Sequence, residues 1–374
     1  MKRETREPLV KQVVASLDGE APLAERPRVA LLTRDDPAHA RGGVETFCEH
    51  LQRALSVPLV LAYGGAAGRR LIFNEARDAF ATMTQLVEAV STHGIDVVVA
   101  NGAAAWALDP KRWSRDLPPV ITVYHGTYAG FGRATAAHSP VRGFWARHMG
   151  ALLERRAGHV GAATVAVSPS VAREVEHFYR LHARVIPNAV MLRSVAVAQR
   201  DEVRRRWSLP VQASVGLFVG RGTWAKGFDL VLQLARARPS LTVVAAGVEP
   251  RRGLAPNVRA LGILTREEVG ALYAGTDVVV LPSRYEGCSY VPLEAMAAGC
   301  PVVVSAVGAF EEPGPQPFGA VVPPGERNAL LAAVDEVLAS PSRFDPRRYV
   351  ARHFGFEPFA SAWKALLAEV LHGA

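Results

Sequence analysis

Short apolar runs rich in β-branched residues recur along this chain, and helix-forming segments separate them. Two such runs, at 278–281 and 302–304, are each too short for a helix and are closed by turn residues. This pattern is typical of strands that are buried on both faces of a parallel sheet. The segment between them, 293–298, favours a helix, with Pro292 suited to its first turn and Gly299 to its C-terminal cap. These residues are therefore predicted to form a β-loop-α-β unit.

The same alternation extends over most of the chain. Further strands are predicted at 28–33, 57–62, 95–100, 120–124, 163–168, 215–219, 241–246 and 258–264. Helices are predicted at 42–55, 141–157, 198–207, 266–274, 327–338 and 357–371, and another begins at Phe228. Residues 130–140 are predicted to be irregular, and the polar segment 1–26 is predicted to carry one helix over 9–17. The pattern predicts an α/β protein with parallel sheets.

Length and composition support a globular protein of two domains. The chain has 374 residues, of which 49% are apolar and 21% are charged, as is typical of a soluble protein of this size. Its three cysteines are odd in number and form no Cys-x-x-Cys pair, so neither a disulfide framework nor a zinc site is predicted. The polar start lacks the apolar core of a signal peptide, and no run reaches the roughly 20 apolar residues of a membrane-spanning helix. A cytoplasmic location is expected.

Positive charge is concentrated in one fragment. The net charge is +8, and residues 111–160 carry eight Lys/Arg against two acids. Such a patch attracts nucleic acid, anionic lipid or a phosphorylated acceptor, while a solvated arginine-rich surface explains it equally well. Because no nucleic-acid-binding motif accompanies the fragment, that partner is excluded.

The predicted helix 141–157 lies within this fragment and mixes arginines with large apolar residues. The apolar residues are Phe144, Trp145, Met149, Leu152 and Leu153. In one interpretation the helix lies on a membrane, which would place the protein at its inner face. The favoured interpretation is a core-facing helix whose arginines snorkel to solvent.

Two glutamates flank the loop of the β-loop-α-β unit. Glu286 lies on the loop, and Glu294 lies at the start of the helix that the loop enters. This loop leaves the carboxyl end of a strand, where open α/β sheets bind ligands. Both carboxylates are therefore expected to face one crevice.

A second candidate site is the glycine-rich turn that follows the strand at 215–219. It reads Gly220-Arg221-Gly222-Thr223-Trp224-Ala225-Lys226-Gly227 and leads into a helix. Glycines give a ligand access to the backbone, Arg221 supplies a guanidinium fork and Lys226 supplies a point charge. The turn is predicted to bind a diphosphate.

The spacing of this turn excludes two other phosphate-binding motifs. A P-loop has the pattern Gly-x4-Gly-Lys-Ser/Thr, but here Gly222 and Gly227 are followed by Phe228 and Asp229. A dinucleotide-binding motif needs a third glycine where Ala225 stands. A Rossmann dehydrogenase is therefore the least favoured class.

Two features of the first half complete the candidate chemistry. Gly42 and Gly43 open a helix, so backbone N–H groups and the helix dipole can attract an anion there. His125 ends the strand at 120–124 and precedes a glycine, so its ring can project into a ligand site. A structural role is the alternative for both.

These residues together resemble a known family. The motif Glu286-x7-Glu294, preceded by Leu-Pro-Ser and followed by Ala-Met-Ala-Ala-Gly-x-Pro-Val-Val, resembles the retaining GT-B glycosyltransferases of family four (glycosyl transferases group 1). The glycine-rich turn, the glycine pair and His125 also match that family. The resemblance runs from about residue 28 to the end, with one departure at Ala189, where relatives usually have glycine after Pro-Asn.

The resemblance implies an α/β GT-B fold, in which two Rossmann-like parallel-sheet domains face each other across a cleft. The implied divisions are an N-terminal extension at 1–27, an acceptor domain at 28–195, a nucleotide-sugar donor domain at 196–352, and a C-terminal helix at 353–374 that crosses back to the first domain.

The resemblance also implies a metal-independent, retaining hexosyltransferase without a cofactor. The enzyme would move a sugar from a UDP- or GDP-sugar to an acceptor hydroxyl. The basic fragment favours a cell-envelope glycan or a lipid-linked acceptor, and a small natural product is the alternative. A GT-B nucleotide-sugar epimerase and an inactive nucleotide-sugar-binding protein remain as other functions.

The family assigns roles to individual positions. The implied catalytic residues are His125, which donates to the transferred sugar, Arg221 and Lys226, which neutralise the leaving diphosphate, and Glu286, which holds a sugar hydroxyl. The implied donor-binding residues are Gly42, Gly43, Gly220, Gly287, Cys288, Ser289, Tyr290 and Glu294, the last of them on the ribose hydroxyls. Relatives often have Phe-Gly after the Glu-Gly pair, so the Cys-Ser-Tyr segment is expected to alter sugar preference. No metal ligand is predicted.

Overall fold

The structure is a computed structural model. It describes residues 10–13, 27–33, 42–56, 59–63, 94–106, 118–192 and 200–373. The chain divides into two compact units: unit 1 comprises Met1–Pro187 and Glu357–Ala374, and unit 2 comprises Asn188–Phe356. The domain limits implied by the family resemblance stay predictions, and the limit at 195/196 lies outside the described residues.

Unit 1 is built on a mostly parallel sheet. Its described strands are β1 (Val10–Val13), β2 (Val29–Thr33), β3 (Leu59–Tyr63), β4 (Val97–Asn101), β5 (Val120–Tyr124), β6 (Ala163–Ala166) and β7 (Arg184–Val185). They lie in the order β1-β3-β2-β4-β5-β6-β7, and every neighbouring pair is parallel except β1 and β3. The side chains of β2, β4 and β5 are almost fully buried, as their β-branched runs predict.

The predicted helix over 9–17 is wrong. Val10–Val13 form β1, which pairs with β3 from Val10 opposite Ala62 to Val13 opposite Leu59. The available edge of the sheet decides this, because its unpaired backbone groups offer hydrogen bonds that local helix propensity cannot anticipate.

Helices connect the strands of unit 1. The described ones are α1 (Gly43–Leu55), a 3-10 turn (Gly102–Ala105), α2 (Tyr128–Thr135), α3 (Pro140–Trp145 and Ala151–Val160, joined by the π-helical turn Ala146–Gly150) and α4 (Pro169–Glu174, followed by the π-helical turn Val175–Tyr179).

Helix α2 occupies most of the segment that is predicted to be irregular, so that prediction is wrong. The Thr127 side chain caps it by accepting from the Gly130 N–H at 2.9 Å. Its glycines lower helix propensity but permit close packing, since a Cβ at Gly132 would lie 2.7 Å from the carbonyl oxygen of Gly143 in α3. Tertiary packing therefore outweighs propensity here.

The large apolar side chains of α3 do not face the core, although the favoured interpretation predicts that they do. Its large apolar side chains are exposed at Phe144, Trp145, Met149 and Leu152, and only Leu153 is half-buried. The core-facing prediction is wrong for these side chains, because the inward positions of α3 hold glycine, alanine and Glu154 instead.

Unit 2 contains a second mostly parallel sheet. Its strands are β8 (Val215–Val219), β9 (Thr242–Ala246), β10 (Val258–Gly262), β11 (Val278–Leu281), β12 (Val302–Ser305), β13 (Gly314–Gln316) and β14 (Gly319–Val322). They lie in the order β10-β9-β8-β11-β12-β14-β13, and only β13 is antiparallel to its neighbour. Without β13 this is the strand order of a dinucleotide-binding fold, which reverses between β8 and β11.

The helices of unit 2 alternate with these strands. They are α5 (Arg200–Arg206), α6 (Phe228–Ala237), α7 (Arg266–Ala274), α8 (Tyr290–Ala297), α9 (Arg327–Ala339) and α10 (Pro346–His353), with a 3-10 turn at Pro341–Arg343. Helix α8 begins earlier than predicted, at Tyr290, and Gly299 follows it in the left-handed conformation expected of a C-terminal cap.

A buried arginine holds the starts of β8 and β11 together. Arg204 of α5 is fully buried and donates to the Asp277 carboxylate at 2.7 Å. Asp277 also accepts from the Val215 N–H at 2.7 Å. The guanidinium makes further bonds to the carbonyl oxygens of Gly275, Pro210, Val211 and Ala213. With its polar groups satisfied in this way, the charge is tolerated inside the unit.

The last helix, α11 (Phe356–His372), packs within unit 1. Its buried Trp363 lies against Phe47 of α1, with ring centroids 5.7 Å apart. In the described part of the chain, no helix is both long and apolar enough to span a bilayer.

Candidate active site

The reversal of strand order between β8 and β11 marks the point where open α/β sheets bind ligands. The loop after β8 carries the glycine-rich turn, and the loop after β11 carries Glu286. The two loops touch at Gly227, which adopts φ +71° at the N-terminus of α6. A Cβ at Gly227 would overlap the carbonyl oxygen of Pro282. Glycine is therefore required for this close approach.

The structure brings Lys226 and Glu286 into direct contact. The Lys226 Nζ lies 2.5 Å from the Glu286 Oε1, and the Ser283 hydroxyl donates to the same oxygen at 2.8 Å. Both side chains of the pair are partly buried, which strengthens their attraction relative to a surface pair. The lysine predicted to bind the diphosphate and the glutamate predicted to bind a sugar hydroxyl thus meet where the strand order reverses.

Arg221 lies on the same turn and is exposed. Within the described residues its guanidinium has no hydrogen-bonding or ion-pairing partner, so it is available to an anionic ligand. The N–H of Gly220 is used inside the fold, because it donates to the carbonyl oxygen of Ala246 at 2.9 Å.

Sequence analysis did not identify Arg284, which connects the two loops. Its guanidinium binds the Asp229 carboxylate through two bonds of 2.7 and 2.8 Å and donates to the carbonyl oxygen of Trp224 at 2.6 Å. It also lies over the Trp224 ring, 4.1 Å from the centroid. The available signal is an arginine two positions before Glu286 and an acid in the first turn of α6, but nothing in the sequence pairs them.

Replacing Arg284 with lysine is expected to destabilise unit 2 by about 1–2 kcal/mol, since lysine reproduces neither the bidentate pair nor the stacking. Urea unfolding measures the change. Arg238→Lys is the matched control, because Arg238 binds Asp335 through two bonds on an exposed surface. The control is expected to lose less stability, and equal losses would contradict the bracing role of Arg284.

Glu294 has different partners from Glu286. Its Oε2 accepts from the Tyr273 hydroxyl at 3.2 Å, and its Oε1 lies 3.9 Å from the Arg266 Nε. Burial raises the pKa of Tyr273 well above its ordinary value, and the Glu294 charge raises it further, so the phenol stays protonated and donates to Glu294. The two glutamates are therefore held separately, Glu286 by the glycine-rich turn and Glu294 by α7.

A small pocket lies beside Glu286. Its polar lining comes from Ser283, Glu286, Ser289 and Ser305, and its apolar lining includes Val304 and Phe310. Within the described residues the buried Ser305 hydroxyl has no hydrogen-bond partner, so it can bind a polar group that enters the pocket.

Of the four residues after Glu286, two line this pocket and two have side chains buried in the interior of unit 2. Gly287 and Ser289 line the pocket, whereas Cys288 and Tyr290 are buried. Burial raises the pKa of Cys288 to about 12, which keeps the thiol protonated and unreactive. Sequence analysis did not identify Gly308, where φ is +64° and a Cβ would overlap the carbonyl oxygen of Gly287.

In unit 1 the glycine pair begins α1 as predicted. Gly43 is the first helical residue, and Gly42 precedes it in an extended conformation. The Glu45 carboxylate approaches Gly42 closely, since a Cβ there would lie 2.9 Å from its Oε2. This helix end thus already has an anionic side chain near its N–H groups.

His125 ends β5 and lies against two side chains. Its Nε2 is 2.9 Å from the Asn101 Oδ1, and its ring centroid is 4.7 Å from that of Phe47. Because an amide oxygen only accepts, we assign the proton of the neutral ring to Nε2. Burial lowers the pKa of His125 to about 4, so the ring is neutral at pH 7. Sequence analysis did not identify Asn101, the polar residue that closes β4.

This shift predicts a pH dependence of stability. His125 has a pKa of about 4 in the fold against 6.5 ordinarily, so the unfolded chain binds the extra proton between these values. Folding stability is expected to fall as the pH decreases through this window, by up to about 3 kcal/mol from this residue.

His125→Gln keeps a donor for Asn101 and removes the titration, so its stability curve is expected to be flatter between pH 6.5 and pH 4. Urea midpoints across the window measure this. The exposed His177 provides the control, since His177→Gln should follow the wild-type slope. Identical slopes for His125→Gln and wild type would show that the fold does not keep the His125 ring neutral in this window.

Two units, each built on a mostly parallel α/β sheet, are typical of the GT-B class of proteins. The model described as Glycosyltransferase Family 4 matches residues 24–193, and that described as Glycosyl transferases group 1 matches residues 213–340. The chain belongs to the group 1 glycosyltransferases of the GT-B fold, as the sequence resemblance indicates.

Curated relatives agree with this membership, and solved structures share the fold. A D-inositol 3-phosphate glycosyltransferase of Xylanimonas cellulosilytica is 30% identical over 56% of this chain and 54% of its own. Sucrose-phosphate synthase from Thermosynechococcus elongatus shares the fold with a TM-score of 0.79, at 19% identity, over 93% of this chain and 100% of its own. Anabaena HepE in complex with UDP and glucose has a TM-score of 0.65 and 18% identity, over 92% and 99%.

The matched segments span between 34% and 54% of the length of the first curated relatives. The likeness to the two solved structures, at under 20% identity, concerns the fold alone.

Proposed function

We propose that this protein is a retaining hexosyltransferase that moves a sugar from a UDP- or GDP-sugar to an acceptor hydroxyl. The observation that carries the proposal is the contact of Lys226 with Glu286 at the strand reversal of unit 2, beside an exposed Arg221. This arrangement offers cations for a diphosphate next to a carboxylate for a sugar hydroxyl. HepE, which shares the fold, is described in complex with UDP and glucose.

Sugar transfer requires groups that stabilise the charge developing on the phosphate and on the sugar. Breaking the bond between the anomeric carbon and the diphosphate builds negative charge on the phosphate and positive charge on the sugar. Arg221 and Lys226 would stabilise the phosphate charge more in the transition state than in the ground state, which is the condition for catalysis. No metal or cofactor is assigned a role in this proposal.

The contacts of Lys226 and Glu286 change when a donor binds in this scheme. Lys226 exchanges its contact with Glu286 for one with the diphosphate, and Glu286 then accepts from a sugar hydroxyl. The Glu286 charge remains partly compensated, since Ser283 continues to donate to it. The acceptor attacks the face of the sugar from which the diphosphate leaves, and the leaving phosphate oxygen takes the acceptor proton. This course retains the anomeric configuration.

The remaining positions have binding roles in the proposal. Glu294 accepts from the ribose hydroxyls while Tyr273 orients its carboxylate. The backbone of Gly287 and the Ser289 side chain contact the sugar, whereas Cys288 and Tyr290 shape the pocket from the interior. Gly220 allows the close approach of the turn to the diphosphate.

In unit 1, Gly42 and Gly43 are proposed to bind donor phosphate and His125 to contact the transferred sugar. The Nε2 proton of His125 is already donated to Asn101. Contact with the sugar therefore requires either acceptance at Nδ1 or a change of partner at Nε2.

We further propose that the acceptor is a cell-envelope glycan or a lipid-linked molecule and that the reaction takes place in the cytoplasm. The arginines of the fragment 111–160 support an acceptor that carries phosphate. A reducing compartment is supported by Cys48, Cys288 and Cys300, which are all buried and free.

A thermal-shift screen of UDP, GDP and ADP with their sugars tests the donor proposal. A saturating ligand at about 100 times its Kd stabilises the fold by about 2.7 kcal/mol, so the donor nucleotide should raise the Tm clearly. Nucleotide release is then measured with candidate acceptors. Stabilisation with release only in the presence of acceptor supports a transferase. Turnover of the sugar without release would indicate an epimerase instead, and no stabilisation by any nucleotide diphosphate would refute the proposal.

A further inference from the structure

One side of α3 carries an unusual set of exposed apolar side chains. We call this side the outer face of α3, and its members are Val141, Phe144, Trp145, Met149 and Leu152. Val141 is 72% exposed, and Phe144 and Leu152 are each 58% exposed. Elsewhere in the described residues, large apolar side chains are exposed only singly, at Val185, Val211 and Ile263. Isolated exposed residues are ordinary, but a contiguous stripe marks an interaction site.

The stripe follows the helix. Val141 and Phe144 are three residues apart, Trp145 and Met149 are four apart and Met149 and Leu152 are three apart, while Phe144 and Trp145 are adjacent. Side chains at this spacing lie on one side of a helix. They therefore form one continuous surface.

The inward side of α3 explains why these side chains point outward. A Cβ at Gly143 would lie 2.9 Å from the Ala136 Cα, and a Cβ at Gly150 would lie 2.7 Å from the Tyr128 ring. The inner face continues with Gly158, where a Cβ would overlap the Leu181 side chain. The helix thus packs on unit 1 mainly through glycine and alanine, together with the buried Glu154. At the glycine positions the interior has no space for phenylalanine or leucine.

Within α2 and α3, the exposed charged side chains are all positive. They are the arginines at positions 133, 142, 147, 155 and 156. The acid within α3 is Glu154, which is buried and whose carboxylate accepts from the Tyr128 N–H at 2.7 Å and from the Tyr179 hydroxyl. The surface of α2 and α3 therefore presents positive charge beside apolar side chains.

We propose that the outer face of α3 docks this protein onto an anionic lipid bilayer. The apolar side chains would enter the boundary between headgroups and acyl chains, and the arginines would bind lipid phosphates. Charge complementarity favours this partner. In a symmetric dimer through the same face, the arginines of one copy would meet those of the other, and like charges in contact are unfavourable. The inference is independent of the donor chemistry in unit 2.

Vesicle co-sedimentation of the full chain tests the proposal. We expect binding to vesicles of equal parts phosphatidylglycerol and phosphatidylcholine to be at least about tenfold stronger than binding to phosphatidylcholine alone, and to weaken with salt. The double variant Phe144→Ser, Leu152→Ser is expected to lose at least about tenfold in binding, since it removes two inserted side chains. Arg142→Gln with Arg147→Gln should lose the preference for anionic lipid.

The matched control is Ile263→Ser in unit 2, where the side chain is 70% exposed but stands alone. It is expected to bind vesicles like the wild type. Nucleotide-dependent stabilisation should be unchanged in all of these variants, which separates a failure of docking from a failure of folding or of the proposed donor site. Quenching of tryptophan fluorescence by brominated lipid should diminish in Trp145→Phe.

Three outcomes would overturn the proposal. The wild type could show no preference for anionic vesicles. Binding could persist unchanged in both double variants. Finally, sedimentation could reveal a stable dimer that the Phe144→Ser, Leu152→Ser variant dissociates, in which case the outer face of α3 is an interface between two copies of the chain.

Discussion

Lys226→Ala is expected to lower the turnover of sugar transfer about 100- to 1,000-fold, the usual effect of removing one preorganised group that stabilises developing negative charge. The fold should survive, because Glu286 keeps its bond from Ser283 and remains partly accessible to water. Steady-state nucleotide release in the presence of acceptor measures the loss, and the Tm of the variant verifies folding.

Glu286→Gln is expected to lose activity on the same scale, since an amide is a weaker acceptor for a sugar hydroxyl.

The matched control for this experiment is Lys364→Ala. Lys364 lies on α11 with its side chain exposed, so its removal changes the net charge equally but leaves the turn after β8 intact. Its turnover should equal that of the wild type. Near-normal turnover of folded Lys226→Ala would show that this ammonium does not act on the diphosphate.

Gly227→Ala is expected to destabilise unit 2 by about 2–5 kcal/mol. The left-handed conformation at this residue costs a side-chain-bearing residue about 1–2 kcal/mol, and φ is +71° here. The added Cβ would also overlap the carbonyl oxygen of Pro282, and overpacking of this kind costs about 1–3 kcal/mol more. Urea unfolding measures the stability, and donor binding should weaken together with it because the two loops are forced apart.

Gly299→Ala separates the two contributions. Gly299 has φ +83°, and a Cβ there would meet no atom within 4 Å. This variant should lose only the conformational part, about 1–2 kcal/mol. If both variants lost the same stability, the contact between the loops after β8 and β11 would have no energetic consequence.

The strands were the most predictable part of the fold. The predicted bounds of β5, β8 and β11 coincide with the observed ones, because their runs of β-branched residues suit only strands buried on both faces. Helix α7 was equally predictable, since Thr265 and Glu268 form a capping box at its start. These signals act over a few residues and need no distant partner.

The errors occurred where a distant partner decides the structure. Val10–Val13 become a strand because β3 has a free edge beside them, and Tyr128–Thr135 become a helix because their glycines allow contact with α3. The apolar residues of α3 have the spacing of a buried face, yet they are exposed. Periodicity reveals that a helix has two faces, but only the space available in the neighbouring layer determines which face is buried.

The candidate site shows the same division. Sequence motifs identified Lys226 and Glu286, whereas the contact between them depends on β8 and β11 being neighbours. Arg284, Asn101 and Gly308 were not found because each acts on a residue that is distant in the chain. The family assignment was confirmed, since its motifs are local and their spacing is specific.

The amino-acid sequence by itself determined the α/β class and the family, because these depend on local runs and on short motifs. The tertiary structure alone decided that Lys226 forms an ion pair with Glu286 and that Glu294 accepts a hydrogen bond from Tyr273. It also decided that the apolar side chains of α3 are exposed. The physical reason is that such contacts follow from which strands become neighbours and from how much space remains between layers.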